Sequence, residues 1–387
     1  MVQLPAMLRF FSISVVLAII LVQGAPGELN AGQHPVIRVA VMKGVSSAKV
    51  RAARGLITVT GSDGATIATG ADAKLRAQSG IMRINGNPVP GEFVTVTAKP
   101  SLFYIGRRKF RGSLKIYPHK KDSLLVVNEL DIEDYLAGLI NSEISSNWPI
   151  EAVKAQAVAA RTYALNQIGG TSRYSPDARY DVESTVVDQV YHGAHREDKR
   201  AYEGVRATTG MVLTRSGVIF PSFYHSTCGG HTEFAHNSWD NMKGATAVVD
   251  EHCKRSPHRA WFFEMTREEM LTLLTGANII SRDEIIMRVG QIPLPDSPRV
   301  DEVVIVTDKG EHRIKATKLR RMIGYMRLKS TWFNVGIEGN KVVFAGRGFG
   351  HGVGLCQWGA KGMADAGFAY KDILKHYYRD AEIGRMY

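Results

Sequence analysis

Apolar and polar residues alternate through the first third of the chain. Val36-Ile37-Arg38-Val39-Ala40-Val41-Met42 is rich in β-branched residues. Leu56-Ile57-Thr58-Val59-Thr60 and Phe93-Val94-Thr95-Val96-Thr97 repeat the alternation. A period of two turns one face of a strand toward a core and the other toward water. Gly61-Ser62-Asp63-Gly64 and Asn85-Gly86-Asn87-Pro88 separate such runs as turns. Asp122-Ser123-Leu124-Leu125-Val126-Val127 closes the series. Residues 35–127 are therefore predicted to be a β-rich region.

The period then changes. Asp131 is placed to cap a helix running to about Ile140, with Asp134 at the third position. Pro149 is placed to open a second helix in its first turn, where a missing N–H costs nothing. Ile150, Val153, Ala157, Ala160 and Ala164 recur at helical spacing, and Glu143 falls in the break between the two helices. Further on, the pattern predicts a short helix over 201–206 and a hairpin over 211–224 turning at Arg215-Ser216-Gly217. A helix over 266–274 has Thr266 as cap, Glu269 completing the box and Gly276 as its stop. Residues 277–298 read as an irregular loop. Strands over 300–306 and 311–314 flank Lys309-Gly310, and helices follow over 317–323 and 370–378. Strands and helices segregate, so the fold class expected is α+β: the β-rich part, then a mixed helix and strand core with a cleft over 128–387.

The N-terminus adds a destination. Arg9 precedes an uncharged, mostly apolar run over residues 10–22, shorter than the ~20 residues of a membrane-spanning helix. Residues 1–24 are read as a signal peptide cleaved before Ala25, with an uncleaved anchor as the alternative. The mature protein is then expected in the periplasm, the cell envelope or outside the cell, with no membrane span. No cysteine lies near the cleavage point, which excludes a lipid anchor there. The formal charge is +12, and loss of Arg9 leaves +11. So basic an exported protein suits an anionic wall polymer or lipid, and export argues against nucleic acid. Of the three cysteines, Cys228 and Cys253 are the natural disulfide pair, leaving Cys356 as a small buried residue.

Three constellations carry candidate chemistry. Between Gly346 and Gly354 a glycine stands at every second position, a spacing that fits neither a dinucleotide fingerprint nor a phosphate loop. If extended, the segment puts Arg347, Phe349, His351 and Val353 on one face and leaves the other bare, for tight packing or for a ligand. His225, Cys228 and His231, spaced H-x2-C-x2-H, with Cys253 downstream, form a set that zinc would accept. A disulfide at Cys228 and Cys253 excludes that use. Lastly, Glu143 stands before an alanine-rich helix carrying Gln156 and Arg161 on an otherwise small and apolar surface. A carboxyl held against such a surface has a raised pKa and suits a general acid; the alternative is a cap or salt bridge. Asp181, Glu183 and Asp188 are candidates for the second carboxylate a hydrolytic glycosidase needs.

Four blocks in order carry a resemblance. They are Leu130-Asp131-Ile132-Glu133-Asp134-Tyr135-Leu136 through Arg161-Thr162-Tyr163; Asp188-Gln189-Val190-Tyr191-His192-Gly193; Tyr224-His225-Ser226-Thr227-Cys228-Gly229-Gly230-His231-Thr232; and the glycine block with Leu355-Cys356-Gln357-Trp358-Gly359-Ala360. From about residue 125 to the end, the chain resembles the sporulation stage II protein D family, which includes amidase enhancers of the bacterial cell wall. The resemblance implies a peptidoglycan lytic transglycosylase. Glu143 would be the acid and base, Arg161 would act beside it, and Gln156, Tyr191, Ser226, His351 and Gln357 would line the substrate. It implies peptidoglycan glycan strands as partner and no required cofactor; zinc at His225, Cys228, His231 and Cys253 remains a reading of the spacing alone, with the Cys228–Cys253 disulfide as its alternative. Within the same family the rival role is a non-catalytic, wall-binding activator of an N-acetylmuramoyl-L-alanine amidase.

Overall fold

The computed structural model describes residues 34–169, 177–185, 188–239, 242 and 244–387. Residues 1–24, read above as a signal peptide, lie outside the described residues. The fold class is α+β, as the pattern predicts, with a β-rich N-terminal region followed by mixed helices and strands.

Two sheets form the first part. One has seven strands, in the spatial order Val182–Glu183, Val36–Val45, Ser123–Asp131, Ser113–His119, Val94–Lys99, Leu56–Gly61 and Thr66–Gly70. The other has six, in the order Arg108–Arg111, Leu102–Ile105, Ser47–Ala52, Asp72–Gln78, Ile81–Ile84 and Asn87–Val89. Alternation does the sorting. In Asp72–Gln78, Ala73, Leu75 and Ala77 are buried while the four residues between and around them are exposed. Val50, Leu75, Val96 and Ile116 belong to one cluster that also takes in Leu136, Ile140 and Val153 of the first two helices. The two sheets and those helices thus share one core. Strand Ser123–Asp131 is buried on both faces, because Leu125 and Val127 pack with Tyr180 on the side away from the main core.

The helices are α1 (Ile132–Glu143), α2 (Ile150–Gln167), α3 (Lys199–Arg206), α4 (Ala235–Ser238), α5 (Arg267–Gly276), α6 (Ala316–Ile323), α7 (Gln357–Asp365) and α8 (Tyr370–Tyr377). Asp131 ends the last strand and caps α1, its carboxylate accepting from the Glu133 and Asp134 N–H groups. The expected boundary after Ile140 moves by three residues, so Glu143 is the last residue of α1 and not part of a loop. Pro149 is the cap of α2, one position earlier than expected. The Thr266–Glu269 box at α5 is present in both directions. Gly276 does not stop that helix; Asn278 supplies the left-handed residue, at φ 55°.

A second cluster, from Trp261 to Phe344, is built from α5, α6 and two three-stranded sheets. The stretch read as an irregular loop contributes a strand, Ile286–Pro293, paired antiparallel with Val300–Thr307. Register shifts at both its ends and the exposed Met287 disrupt the period that would have announced it.

The glycine block is not an extended strand. Gly348, Gly350, Gly352 and Gly354 all have positive φ, between 69° and 119°. A side chain at Gly352 would strike the Arg299 guanidinium at 2.4 Å, and one at Gly354 would strike the Phe223 carbonyl at 2.1 Å. The alternating glycines serve backbone conformation and close packing.

Candidate functional site

A cleft of about 610 Å³ opens where the end of α1 meets the start of α7. Its lining includes Asn141, Ser142, Glu143, Trp148, His195, Glu197, Asp198, Ser226, Gln357 and Trp358. This volume lies within the range of ordinary ligand sites.

Glu143 sits in its wall. One carboxylate oxygen accepts from the Val190 N–H at 2.9 Å, and the other lies 3.5 Å from the Gln357 side-chain nitrogen. The Tyr224 hydroxyl adds a third bond, and it accepts in turn from Gln189 Nε2 at 2.9 Å. Crowding by protein atoms dominates these donors, so desolvation lifts the Glu143 carboxyl from 4.5 to about 6. Its position at the negative end of α1 acts in the same direction. Glu143 has no salt-bridge partner among the described residues.

The other two carboxylates of the cleft are committed. Glu197 is held by Arg111 through bonds of 2.7 to 3.0 Å. Burial would raise Asp198, but bonds from the Ser146 hydroxyl, the Ala201 N–H and Asn141 hold it below its ordinary value. Asp181, Glu183 and Asp188 do not line the cleft. Asp181 is ion-paired with Arg38, Glu183 with Lys43, and Asp188 accepts from Tyr163 and the Glu183 N–H.

Glu143, Ser226 and Gln357 are the expected residues that meet in the cleft. Arg161 is not at the substrate face. It is fully buried on α2, where its guanidinium makes two bonds to Glu133, of 2.8 and 2.7 Å, and others to the Val205 and Met211 carbonyls. A buried cation needs a buried anion, and α1 presents one at its first turn. Tyr191 is also fully buried, packed on Tyr135 and Phe110. Gln156 is buried within the α2 packing. His351 bonds to the Tyr224 carbonyl and the Val353 N–H, and burial pushes its imidazole down to about 3. It braces Tyr224 from behind, and its ring also packs against Trp239, Phe223 and His225.

Reading the sequence missed the aromatic wall. The Trp148 and Trp358 rings lie 5.1 Å apart, though 210 positions separate them. Nothing local pairs them, although each stands five or fewer residues from a residue singled out for chemistry, Glu143 or Gln357. The Val190 N–H was missed for a different reason, since its role belongs to the backbone and any residue but proline would supply it.

The cysteines take an arrangement the spacing did not suggest. Among the described residues, Cys228, Asp250, Cys253 and Cys356 bring their ligand atoms within 4.8 Å of one another, all buried. All three thiols are free, and the Cys228 and Cys253 sulfurs are 3.5 Å apart. The two histidines expected with them are elsewhere. His225 Nδ1 is taken by the Val353 carbonyl at 3.1 Å and His231 Nδ1 by the Thr232 carbonyl at 2.6 Å.

Comparison with known proteins follows the same geography. A family model described as stage II sporulation protein matches residues 120–215, which include α1, α2 and Glu143. A model described as a domain of unknown function matches residues 251–354, which contain the second hydrophobic cluster. An uncharacterised protein of Brachyspira hyodysenteriae is 32% identical over 281 residues, 73% of this chain and 74% of its own. The stage II sporulation protein D of Bacillus subtilis is 27% identical over 310 residues, covering 77% of this chain and 87% of its own. The amidase enhancer of Bacillus subtilis is 26% identical over 289 residues; the match covers 63% of this chain and 39% of that longer protein.

Proposed function

The chain belongs to the stage II sporulation protein D family, with a role related to the cell wall, and from that premise we propose that it is an exported lytic transglycosylase that cleaves peptidoglycan glycan strands at Glu143. The observation that supports this most is the solitary carboxyl. Of the three acids in the cleft, Glu143 alone lacks a cation or a set of bonds that would hold it ionised, and its pKa is raised to about 6.

One such group suffices when no water is used. Protonated Glu143 gives its proton to the glycosidic oxygen as the bond from C1 of N-acetylmuramic acid breaks. The C6 hydroxyl of the same sugar closes on C1, and its proton returns to the Glu143 carboxylate. The products are a free hydroxyl on the leaving sugar and a 1,6-anhydro end, with no net gain of water. Because the nucleophile is already attached, much of the entropic cost of attack is absent. The Val190 N–H and the Gln357 amide can hold the carboxylate formed between the two steps. Trp148 and Trp358 offer apolar surface for sugar rings. No metal takes part in this scheme.

The amidase-enhancer relative favours a second reading, in which the cleft binds the wall and stimulates an amidase without cutting glycan. Mass spectrometry of purified glycan strands after incubation with the protein separates the two. Anhydro ends, one water lighter than hydrolytic ends, support the lyase. Unchanged glycan together with a stimulated amidase assigns the activator role instead.

A further inference from the structure

We propose that Cys228, Asp250, Cys253 and Cys356 hold one structural zinc ion. The spacing of the ligand atoms fits. Ligands about 2.3 Å from a tetrahedral centre lie roughly 3.8 Å from one another. Here two sulfurs are 3.5 Å apart, the Cys228 sulfur and an Asp250 oxygen are 3.0 Å apart, and all four groups fall within 4.8 Å. Three sulfurs and one oxygen suit zinc and disfavour calcium or magnesium, which take oxygen ligands in larger number.

The surroundings are built for thiolates. The Cys228 N–H points at the Cys356 sulfur at 3.2 Å, the Gly359 N–H at the same sulfur at 3.3 Å, and the Gly230 N–H at the Cys228 sulfur at 3.3 Å. Such donors stabilise the charged form of a poor neutral acceptor. The His252 N–H holds one Asp250 oxygen at 2.8 Å and leaves the other facing the sulfurs. Binding releases three thiol protons, and the filled site carries a net charge of about −2, the ion's two positive charges against four ligand anions. A fully buried guanidinium stands close by: Arg299 donates to the Cys228 carbonyl at 3.1 Å, and among the described residues its paired carboxylate, Glu233, lies 3.6 Å away. A Cys228–Cys253 disulfide would leave Cys356, Asp250 and these donors without a common purpose.

Four protein ligands, all buried, leave no position for substrate, so the ion is a clamp. It joins the segment carrying Ser226, the turn at His252–Arg255 and the start of α7. Residue 357, next to the Cys356 ligand, is the glutamine beside Glu143. The site thereby fixes one wall of the cleft, and it stands whether or not Glu143 is catalytic.

The test uses the full chain, purified without chelator. Elemental analysis should find one zinc per chain, and after denaturation with chelator a thiol reagent should count three free thiols. Cobalt(II) loaded in place of zinc should give tetrahedral d–d bands and intense sulfur-to-cobalt charge transfer. Cys356→Ser should weaken metal binding at least tenfold and lower the charge-transfer band, whereas His231→Ala should change neither. One free thiol with a Cys228–Cys253 cross-linked peptide overturns the proposal, and so does cobalt without tetrahedral bands. Equal loss in His231→Ala and Cys356→Ser overturns the ligand set. Should Cys356→Ser not fold, the zinc content, cobalt spectrum and thiol count of the unmodified chain still decide.

Discussion

Helix α1 carries a glutamate at each end, and the two have opposite fates. Glu133, in the first turn, meets Arg161 in a bidentate ion pair and also accepts from the Tyr387 hydroxyl at 2.6 Å. Glu143, the last residue, receives only neutral donors and is raised to about 6 by desolvation. The helix dipole favours the charge at the first end and opposes it at the second. The same side chain is therefore a strut at one end of the helix and, at the other, a carboxyl that stays protonated to higher pH than usual. The comparison also explains why Arg161 is no substrate ligand. The Arg161 guanidinium is taken by Glu133, ten residues upstream, and Glu143 has no cation beside it among the described residues.

The strongest way to break this contrast is to remove the ionisable group at each end. Glu143→Gln is nearly isosteric and should keep the fold while glycan cleavage falls by at least 10²–10⁴-fold, on the order of 3–5 kcal/mol in the barrier. Cleavage within a few-fold of the parent, in a folded variant, would end the case for Glu143. At the other end, Arg161→Met strands a buried carboxylate and should lower stability by about 3–5 kcal/mol. Cleavage per folded molecule should stay within a few-fold of the parent. A denaturant titration alongside the glycan assay tests this, and loss of cleavage at unchanged stability would return Arg161 to the site.

Proton titration sharpens the contrast further. A carboxyl whose folded pKa is about 6, above its ordinary 4.5, adds stability below 4.5 that is lost as pH rises through 6. Glu143→Gln should thus be more stable than the parent at pH 8 by up to roughly 2 kcal/mol, and the gain should vanish below pH 4.5. Cleavage should fall on the alkaline side of about pH 6, because the acid must start protonated. Melting curves in which the difference between the two proteins stays the same from pH 4.5 to 8 would mean that Glu143 is solvated like any surface acid.

The smallest effect concerns the aromatic wall. Trp358→Ala should raise KM for glycan several-fold, about 1 kcal/mol, with kcat less affected, since stacking serves bound substrate and transition state alike. A fall confined to kcat would place the tryptophan in the chemistry instead.

Much of this contrast is legible in one dimension. The cap at Asp131, the proline at the entry of α2 and the lone acid before an alanine-rich helix are local signals, and the structure keeps each within three positions of its expected place. The hairpin at Arg215-Ser216-Gly217 and the capping box of α5 are local too, and both form. The strand Ile286–Pro293 escaped because bulges break its period. The extended reading of the glycine block failed because glycine is the one residue whose composition says nothing of the sign of φ.

By itself, the sequence determined where strands give way to helices and which carboxyl was worth following, because propensity, capping and periodicity act over a few residues. Only the tertiary structure decided which acid is neutralised, which tryptophans meet and which cysteines gather. Arg161 reaches Glu133 across 28 positions, Trp148 reaches Trp358 across 210, and Cys356 reaches Cys228 across 128. Charge pairing, ring stacking and ligand geometry depend on distances of 3–5 Å, and chain spacing places no bound on those once the chain has folded back on itself.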